Sequence, residues 1–383
     1  PNSGGSSSSD TSTSQPTIST KAPGTVDILG KNITVTAEGK VTNALYATDG
    51  NKINVGNDGS VINVTSTGKD DAVGVFCYDK ANVNVSGEEL NINATSNNTS
   101  LGILAQNNTT TSTENLATVN INTAKTVINA KTGIAAYSQG VVNMNDGDVE
   151  INAEKAIETR GNATTNINQD GTHTVKINGD INFNVTDDGK SGLNPDANVN
   201  INLSNADSYL TGSVNKTVPE GIGDDVTGMN IDISNKAAWN MTGDSFVNTA
   251  NVSDGGSINL QAGVNDFEAG DITLNNGNLS LQGNQQEVNI QSLNGNGGIV
   301  NTNSVENNVF VKDKDSNTKI NVNGTSNVTD QIASGQATLQ DLANVVTNME
   351  EEDNGSIADT VTSDANDIIG GYSAEVGKDG KIV

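Results

Sequence analysis

The chain has 383 residues, of which 33% are hydrophobic, and its 19 basic and 46 acidic residues give a net charge of −27. This acidic excess would repel phosphate groups and anionic lipid headgroups, so it excludes nucleic acid as a partner and predicts no direct membrane insertion of this segment. A single cysteine excludes an internal disulfide, and the lack of a Cys/His cluster excludes a structural zinc site. We therefore predict no cofactor and no metal.

Residues 1–24 are predicted to form a flexible leader. They consist mainly of Ser, Thr, Gly and Pro and contain one aliphatic residue, so burial cannot offset the entropy lost on ordering them. Because no signal-peptide pattern opens the chain, we interpret it as a segment excised from a longer protein.

Residues 25–235 are predicted to be strand repeats. Short segments of alternating apolar and polar residues, such as NITVTA and NVNVS, recur between Gly, Asn and Asp, which is typical of strands. An aliphatic residue followed two places later by a small one marks a first strand: Leu45/Ala47, Val75/Cys77, Ile103/Ala105, Ile134/Ala136 and Ile157/Thr159. A second strand carries Val55, Val85, Ile121, Met144 and Ile167, and a third carries Ile62, Ile92, Ile128, Ile151 and Ile177.

Three strands per repeat predict an all-β fold, namely a right-handed parallel β-helix, a solenoid of three-strand coils. In such a fold each strand stacks on its counterpart about 4.8 Å away. The inward aliphatic residues then form continuous columns, and outward Asn side chains form hydrogen-bonded ladders.

Residues 236–327 are predicted to be a second module with shorter coils. Ile258, Leu279, Ile299 and Ile320 follow one another at nearly constant spacing in similar contexts, and we predict that they form one buried column.

Residues 328–383 are predicted to be a short helical or irregular tail. The segment TDQIASGQATLQDLANVV spaces its apolar residues as a helix does. Thr329 is the predicted N-cap of its first turn.

The order of strands in the second module resembles a known family. AAWNMTGDSFVNTANVSDGGSINLQ is followed by DFEAGDITLNNGNLSLQG, SLNGNGGIVNTNS and TKINVNGTSN. This succession is similar to the pertactin-like autochaperone module of classical type V autotransporter passengers. The resemblance implies export across two bacterial membranes, folding that begins in this module, and a C-terminal β-barrel in the full-length protein that this segment lacks.

Large apolar residues of this module form the predicted folding nucleus. Each contributes about 1.5 to 3 kcal/mol when fully buried, so we expect the module to be the most stable part of the chain. The predicted members are Trp239, Phe246, Ile258, Phe267, Leu279, Ile299 and Ile320.

Candidate catalytic residues have structural interpretations that we prefer. Gly243-Asp244-Ser245 resembles the nucleophile segment of serine-protease passengers, but its base would have to be His173, the only histidine. We interpret Ser245 as a turn residue with local hydrogen bonds. Cys77 occupies the same small position as Ala47 and is interpreted as buried and structural.

Pairs of acidic residues raise calcium binding and glycosidic cleavage as alternatives. Adjacent aspartates on a strand point to opposite faces, so we interpret these pairs as solvated turn residues and predict no catalytic residue. The pairs are Asp70-Asp71, Asp187-Asp188 and Asp224-Asp225.

The polar insertion between Gln106 and Val119 is predicted to leave the coil as a loop, because its residues have no counterpart in neighbouring repeats. Its first residues are candidate ligand contacts: Asn107, Asn108, Thr109, Thr110, Thr111, Ser112 and Thr113.

Together these features predict a non-enzymatic bacterial autotransporter passenger, displayed at the cell surface or secreted, that acts as an adhesin through a repetitive surface. The predicted partners are a host glycan, a host surface protein or a second copy of the chain. Two alternatives remain: a polysaccharide lyase or hydrolase on the same scaffold, and a purely structural stalk for an absent N-terminal head.

Overall fold

A computed structural model describes residues 24–107, 116–184, 197–217, 228–349, 355–363 and 371–383, together with the backbone of residues 17–21. The chain divides into two compact units, the first made of residues 1–202 and 215–228 and the second of residues 203–214 and 229–383. Among the described residues, strands make up almost all of the regular secondary structure, and the second unit adds two short helices. The predicted all-β class is confirmed.

The strands up to residue 217 are β1 (Thr17–Lys21), β2 (Thr25–Leu29), β3 (Asn32–Ala47), β4 (Lys52–Val55), β5 (Val61–Tyr78), β6 (Asn82–Thr95), β7 (Thr99–Gln106), β8 (Thr118–Asn129), β9 (Thr132–Tyr137), β10 (Val141–Met144), β11 (Asp148–Arg160), β12 (Thr164–Ile167), β13 (Val175–Asn184), β14 (Asn198–Leu203), β15 (Tyr209–Thr211) and β16 (Val214–Thr217).

The later elements are β17 (Met229–Ile233), β18 (Ala238–Met241), β19 (Ser245–Ser253), β20 (Ser257–Leu260), β21 (Asp266–Asn275), β22 (Asn278–Leu281), β23 (Glu287–Asn294), β24 (Asn296–Thr302), β25 (Asn308–Lys314), β26 (Lys319–Gly324), α1 (Ser326–Ala333), α2 (Leu339–Ala343), β27 (Val346–Asn348), β28 (Thr360–Ser363) and β29 (Ser373–Glu375).

The strands of the first unit form three parallel stacks. The first stack joins the C-terminal parts of β3 and β5 to β7, β9 and the C-terminal part of β11. The second joins β2, β4, the starts of β6 and β8, β10, β12 and β14. The third joins the remaining parts of β3, β5, β6, β8 and β11 to β13. The long strands therefore belong to two stacks each.

The first predicted column is confirmed residue by residue. Leu45 pairs with Val75, Val75 with Ile103, and Ile103 with Ile134, which also pairs with Ile157. All five side chains are buried. The small residues two places later pair in the same order. Each coil therefore contributes one large and one small side chain to the interior of this stack.

The second predicted column is also confirmed, from Val55 through Val85, Ile121 and Met144 to Ile167. The third was wrong at its first member. Ile62 pairs with Leu90, and Val64 pairs with Ile92. Because Ile62 and Val64 are two residues apart and both face inward, the error lies in the register and not in the face.

The column of the second unit contains a correction. Ile258 pairs with Leu279 as predicted, but Leu279 pairs with Val300, and Val300 pairs with Val322. Ile299 is therefore half-exposed on the opposite face, and Ile320 lies opposite Gly298. The neighbouring strand fixes this choice, because the in-register pairing of β22 with β24 places Val300 opposite Leu279. The buried column comprises Leu210, Trp239, Ile258, Leu279, Val300, Val322 and Val361.

Tight turns connect the first stack to the second. Where β3, β5, β9 and β11 lead into the second stack, the turn has two consecutive residues with positive φ, as in a type I′ turn, and Asn, Asp and Gly tolerate this conformation best. These turns therefore use some of the Asn, Asp and Gly of the sequence, although Lys80, Ser138 and Gln139 adopt the same conformation. Examples are Asp49-Gly50, Asp79-Lys80 and Ser138-Gln139.

Helix α1 begins at Ser326, before the predicted helical segment, and α2 lies within that segment. Thr329 was wrongly predicted as an N-cap: it lies inside α1, whose N-cap is Thr325, and its hydroxyl donates to the Thr325 carbonyl. Helix α2 begins at a capping box formed by Thr338 and Asp341. Within the described ranges, neither helix has the length and apolar character that crossing a membrane requires.

Glycine recurs at one corner of the first stack, where two consecutive residues face inward. A Cβ on Gly133 would lie 2.5 Å from Cγ2 of Ile151 and 2.7 Å from the carbonyl oxygen of Ala156. Gly74 is crowded in the same way by Ile92 and by the carbonyl of Gly102. At Gly74 and Gly133 an added side chain would therefore force these neighbours to move, whereas Ala44 and Ala156 occupy the equivalent position in the first and last coils of the stack.

We predict that Gly133→Ala lowers the free energy of unfolding by about 1 to 3 kcal/mol, the usual effect of overpacking a dense interior. Gly39→Ala is the matched control, because the nearest atom to its added Cβ is Cγ2 of Thr42 at 3.4 Å. Urea unfolding monitored by circular dichroism measures both variants. Equal midpoints for the two would contradict the proposed corner.

Candidate recognition surfaces

Side-chain amides form a continuous ladder on the outer face of the second stack. In each coil the Asn Nδ2 donates to the side-chain oxygen of the preceding coil at 2.7 to 2.9 Å. The ladder begins at the carboxylate of Asp27 and continues through Asn54, Asn84, Asn120, Asn143, Asn166 and Asn200. Since the residues on either side face inward, strand alternation places these amides outward. The predicted outward ladder is confirmed.

A second amide ladder follows the third stack. Asn129 donates to Asn93, Asn152 to Asn129, and Asn178 to Asn152, at 2.9 to 3.2 Å. A groove of about 340 Å³ borders it and is also lined by Lys131. The Lys131 ammonium donates to the carbonyls of residues 97 and 98 at 2.6 and 3.0 Å. The lysine therefore ties the groove wall to the loop beside it.

The outer face of the first stack carries aromatic rings. Tyr46 pairs with Phe76, and Phe76 pairs with Leu104. The ring centroids of Tyr46 and Phe76 lie 5.0 Å apart, and those of Phe76 and Tyr78 lie 5.7 Å apart. Leu104 packs in one apolar cluster with Tyr137 and Phe76. We call this surface, formed by Tyr46, Phe76, Tyr78, Leu104 and Tyr137, the aromatic face.

Charged side chains border the aromatic face at Tyr137. Glu158 accepts a hydrogen bond from the Tyr137 hydroxyl at 2.8 Å and one from the Lys155 ammonium at 2.8 Å. The Arg160 guanidinium carbon lies 4.0 Å from the centre of the Tyr137 ring, which is a cation–π contact. Four side chains from two coils thus form one polar border.

Burial raises the pKa of Tyr137, and the negative charge of Glu158 raises it further. Burial also opposes ionisation of Glu158, but hydrogen bonds from Lys155 and Tyr137 outweigh it and lower the pKa of the carboxyl. At neutral pH the border therefore contains a neutral phenol, a carboxylate and two cations.

Sequence reasoning missed the aromatic face, although a signal was present. Tyr46 stands between Leu45 and Ala47, and Phe76 stands between Val75 and Cys77. The residue between two inward positions must point outward. Reading those middle residues as a separate column would have revealed the face.

The residues predicted as a folding nucleus are mostly interior. Trp239, Ile258, Phe267 and Leu279 are fully buried, and Phe246 nearly so. The Trp239 ring meets Phe267 edge-on with centroids 5.7 Å apart, and its Nε1 donates to the Gly212 carbonyl at 3.1 Å. These residues belong to the core, while their role in nucleation stays a prediction.

The interpretation of Cys77 as a buried residue is confirmed, whereas Ser245 is the first residue of strand β19 and not a turn residue. Cys77 is buried, and burial raises the pKa of its thiol to about 12, so the reactive thiolate is not formed at neutral pH. The Ser245 hydroxyl donates to the Gly243 carbonyl at 2.8 Å and accepts the Val214 amide at 3.0 Å. His173 lies in the turn before β13, and its backbone amide donates to Oδ1 of Asn168.

Asn107 closes the base of the predicted contact loop. It is 4% exposed, and its Oδ1 accepts the backbone amides of Lys80 and Ala117 at 3.1 and 3.0 Å. The remaining candidate contacts, Asn108, Thr109, Thr110, Thr111, Ser112 and Thr113, lie outside the described residues.

The paired acids are described in part. Asp70 lies 3.5 Å from the Lys40 ammonium on the surface, and the pairs at 187–188 and 224–225 lie outside the described residues. Among the residues that the structure does describe, no three His, Cys, Asp or Glu side chains are grouped as a metal site would require.

Comparisons of this chain with protein-family models, with curated proteins and with solved structures find no match.

We predict that Asn120→Ala lowers the free energy of unfolding by about 1 to 3 kcal/mol. The substitution removes the partner of both Asn84 and Asn143, and half-buried polar groups without partners cost this much. Urea unfolding gives the measurement.

Asn294→Ala is the control, since Asn294 also faces outward but donates to Ser292 on its own strand. A midpoint for Asn120→Ala no lower than that of Asn294→Ala would show that the ladder contributes nothing to stability.

Proposed function

We propose that this chain is a right-handed parallel β-helical passenger of a bacterial autotransporter, exported to the cell surface or secreted, and that it acts as an adhesin. The parallel stacks of three strands support the β-helix. The right hand follows from the strong preference of parallel strand connections for right-handed crossovers.

The observation that carries the adhesin proposal is the register of the outward side chains. Equivalent amides repeat at every coil from Asn54 to Asn200, about 4.8 Å apart. A primary amide has two N–H donors and two lone pairs, so one ladder bond on each side leaves capacity for a further partner. A ligand that repeats along its own length can then make many weak contacts whose effects multiply.

An autochaperone role for the second unit is supported by the size of its core residues. Its buried column includes Trp239, which packs on Phe267. Aromatic side chains dominate core energetics because each buries a large area. Coils stabilised by these aromatic residues offer a folded edge on which the next coil can form, as expected for solenoids in which each coil contacts its neighbours.

The adhesin proposal predicts attachment that depends steeply on surface density. The full chain is displayed on cells that lack other adhesins, and attachment and aggregation are scored at several display levels. Because avidity multiplies weak contacts, a tenfold lower display should reduce attachment more than about tenfold. Neither attachment nor aggregation at any density would contradict the proposal and favour the structural stalk.

A matched variant separates the predicted loop from the coil faces. Residues 108–115 are replaced by a Gly/Ser segment of equal length, which preserves Asn107 and its bonds to Lys80 and Ala117. If the loop is the contact, attachment is lost while the circular dichroism spectrum stays unchanged. Retained attachment would assign recognition to the coil faces.

The autochaperone proposal predicts that Trp239→Ala slows refolding of the first unit more than Phe183→Ala does. Phe183 is the matched control, because it is an equally buried aromatic residue of the first unit itself. Pulsed hydrogen exchange after dilution from denaturant reports amide protection in each unit separately. Equal effects of the two variants on the first unit would refute the autochaperone role.

A further inference from the structure

The aromatic face differs from the other outward columns of the first unit. Three of the five tyrosines and one of the five phenylalanines of the chain lie on it. The outer column of the second stack, in contrast, carries amides. Only 33% of the residues of this chain are hydrophobic, and packing of the core does not require aromatic rings on the outside. Exposed apolar patches that are rimmed by polar groups mark interaction sites.

The rings are accessible at one end of the face and enclosed at the other. Tyr46 is 46% exposed, and Phe76 and Tyr78 are half-buried. Leu104 and Tyr137 are nearly buried by their neighbours. The accessible part of the aromatic face therefore consists of the rings of Tyr46, Phe76 and Tyr78, which lie beside the apolar cluster of Leu104 and Tyr137.

The column that contains these rings leads into the polar border. Tyr46, Phe76, Leu104, Ala135 and Glu158 follow one another by direct strand pairing. Four strand spacings of about 4.8 Å separate the first from the last, roughly 19 Å in all. An occupant that contacts both ends must be extended, with an apolar surface at one end and hydrogen-bonding groups at the other.

We propose that the aromatic face binds a neutral oligosaccharide; this inference rests on the proposed adhesin function and names its ligand class. A sugar ring has an apolar C–H face that stacks on Tyr46 and Phe76. Its hydroxyls can bond the Glu158 carboxylate, whose side chain is 13% exposed, and the Lys155 ammonium, whose side chain is 49% exposed. Both kinds of group are present along a single column.

Charge selects a neutral occupant. The border holds one carboxylate, Glu158, and two cations, Lys155 and Arg160, but both cations are already engaged, Lys155 with Glu158 and Arg160 with the Tyr137 ring. The whole chain carries −27, which repels sialylated or sulfated glycans, anionic lipid and a second copy of the chain. A neutral polyhydroxylated ligand does not experience this repulsion.

A glycan array tests the proposal with the full chain, labelled with a fluorophore. The printed probes are cello-, malto-, manno- and chito-hexaoses and a set of sialylated and sulfated glycans. We expect binding to at least one neutral hexaose. Tyr46→Ala should weaken it about tenfold or more, the loss typical of truncating a central aromatic anchor, and because Tyr46 is largely exposed this variant spares the fold.

The matched control is Phe310→Ala, a half-buried outward phenylalanine of the second unit, which should leave binding unchanged. Binding to charged glycans alone, no binding, or equal binding by wild type and Tyr46→Ala would each overturn the proposal. Self-association in sedimentation velocity that Tyr46→Ala abolishes would instead assign the face to a second copy.

The outcome is separable from that of the adhesin proposal. Cells that display the chain and attach normally when Tyr46 is replaced would leave the adhesin function standing and remove only the sugar site. Cells that never attach, together with a positive array, would remove adhesion and keep the sugar site.

Discussion

The structure depends on in-register parallel pairing of each strand with its counterpart one coil away. In this arrangement a residue contacts its equivalents above and below, so each position along a coil becomes a column through the unit. A column can be inward and apolar, as from Leu45 to Ile157, or outward and polar, as in the ladder that contains Asn120. Core and surface are therefore both built by repetition, and one substitution removes the partner of two neighbours at once.

The same constraint accounts for a chain that folds with few hydrophobic residues. Burial is confined to narrow columns, and hydrogen bonds between equivalent amides stabilise the outside at each coil. Each hydrogen bond contributes a net free energy of about 0.5 to 1.5 kcal/mol to stability. The bonds of a ladder therefore add stability that the narrow hydrophobic core does not provide. The corners must then be tight, which explains glycine at position 133 and positive φ at Asp79 and Lys80.

Sequence reasoning located columns well where a residue pair fixed the phase. Leu45/Ala47 and its equivalents leave one inward register, and the structure has that register. The prediction failed where two registers were open: Ile62 and Val64 both face inward, and Ile299 and Val300 are adjacent aliphatic residues, of which Val300 pairs with Leu279. The aromatic face was missed because alternation was used to find the interior, while the outward residues between the inward ones were left unaligned.

Strand edges bear on the choice between recognition and polymerisation. Parallel pairing leaves an unpaired edge at each end of a stack, and such edges recruit other chains. In the first unit β1 pairs antiparallel with β2, the first strand of the second stack. In the second unit β29 pairs antiparallel with β28, the last described strand of the Trp239 column. A short antiparallel strand interrupts the parallel template at both places, which disfavours growth by adding coils from another copy. For the proposed contacts with a partner this favours the faces, where the amide ladders and the aromatic rings lie.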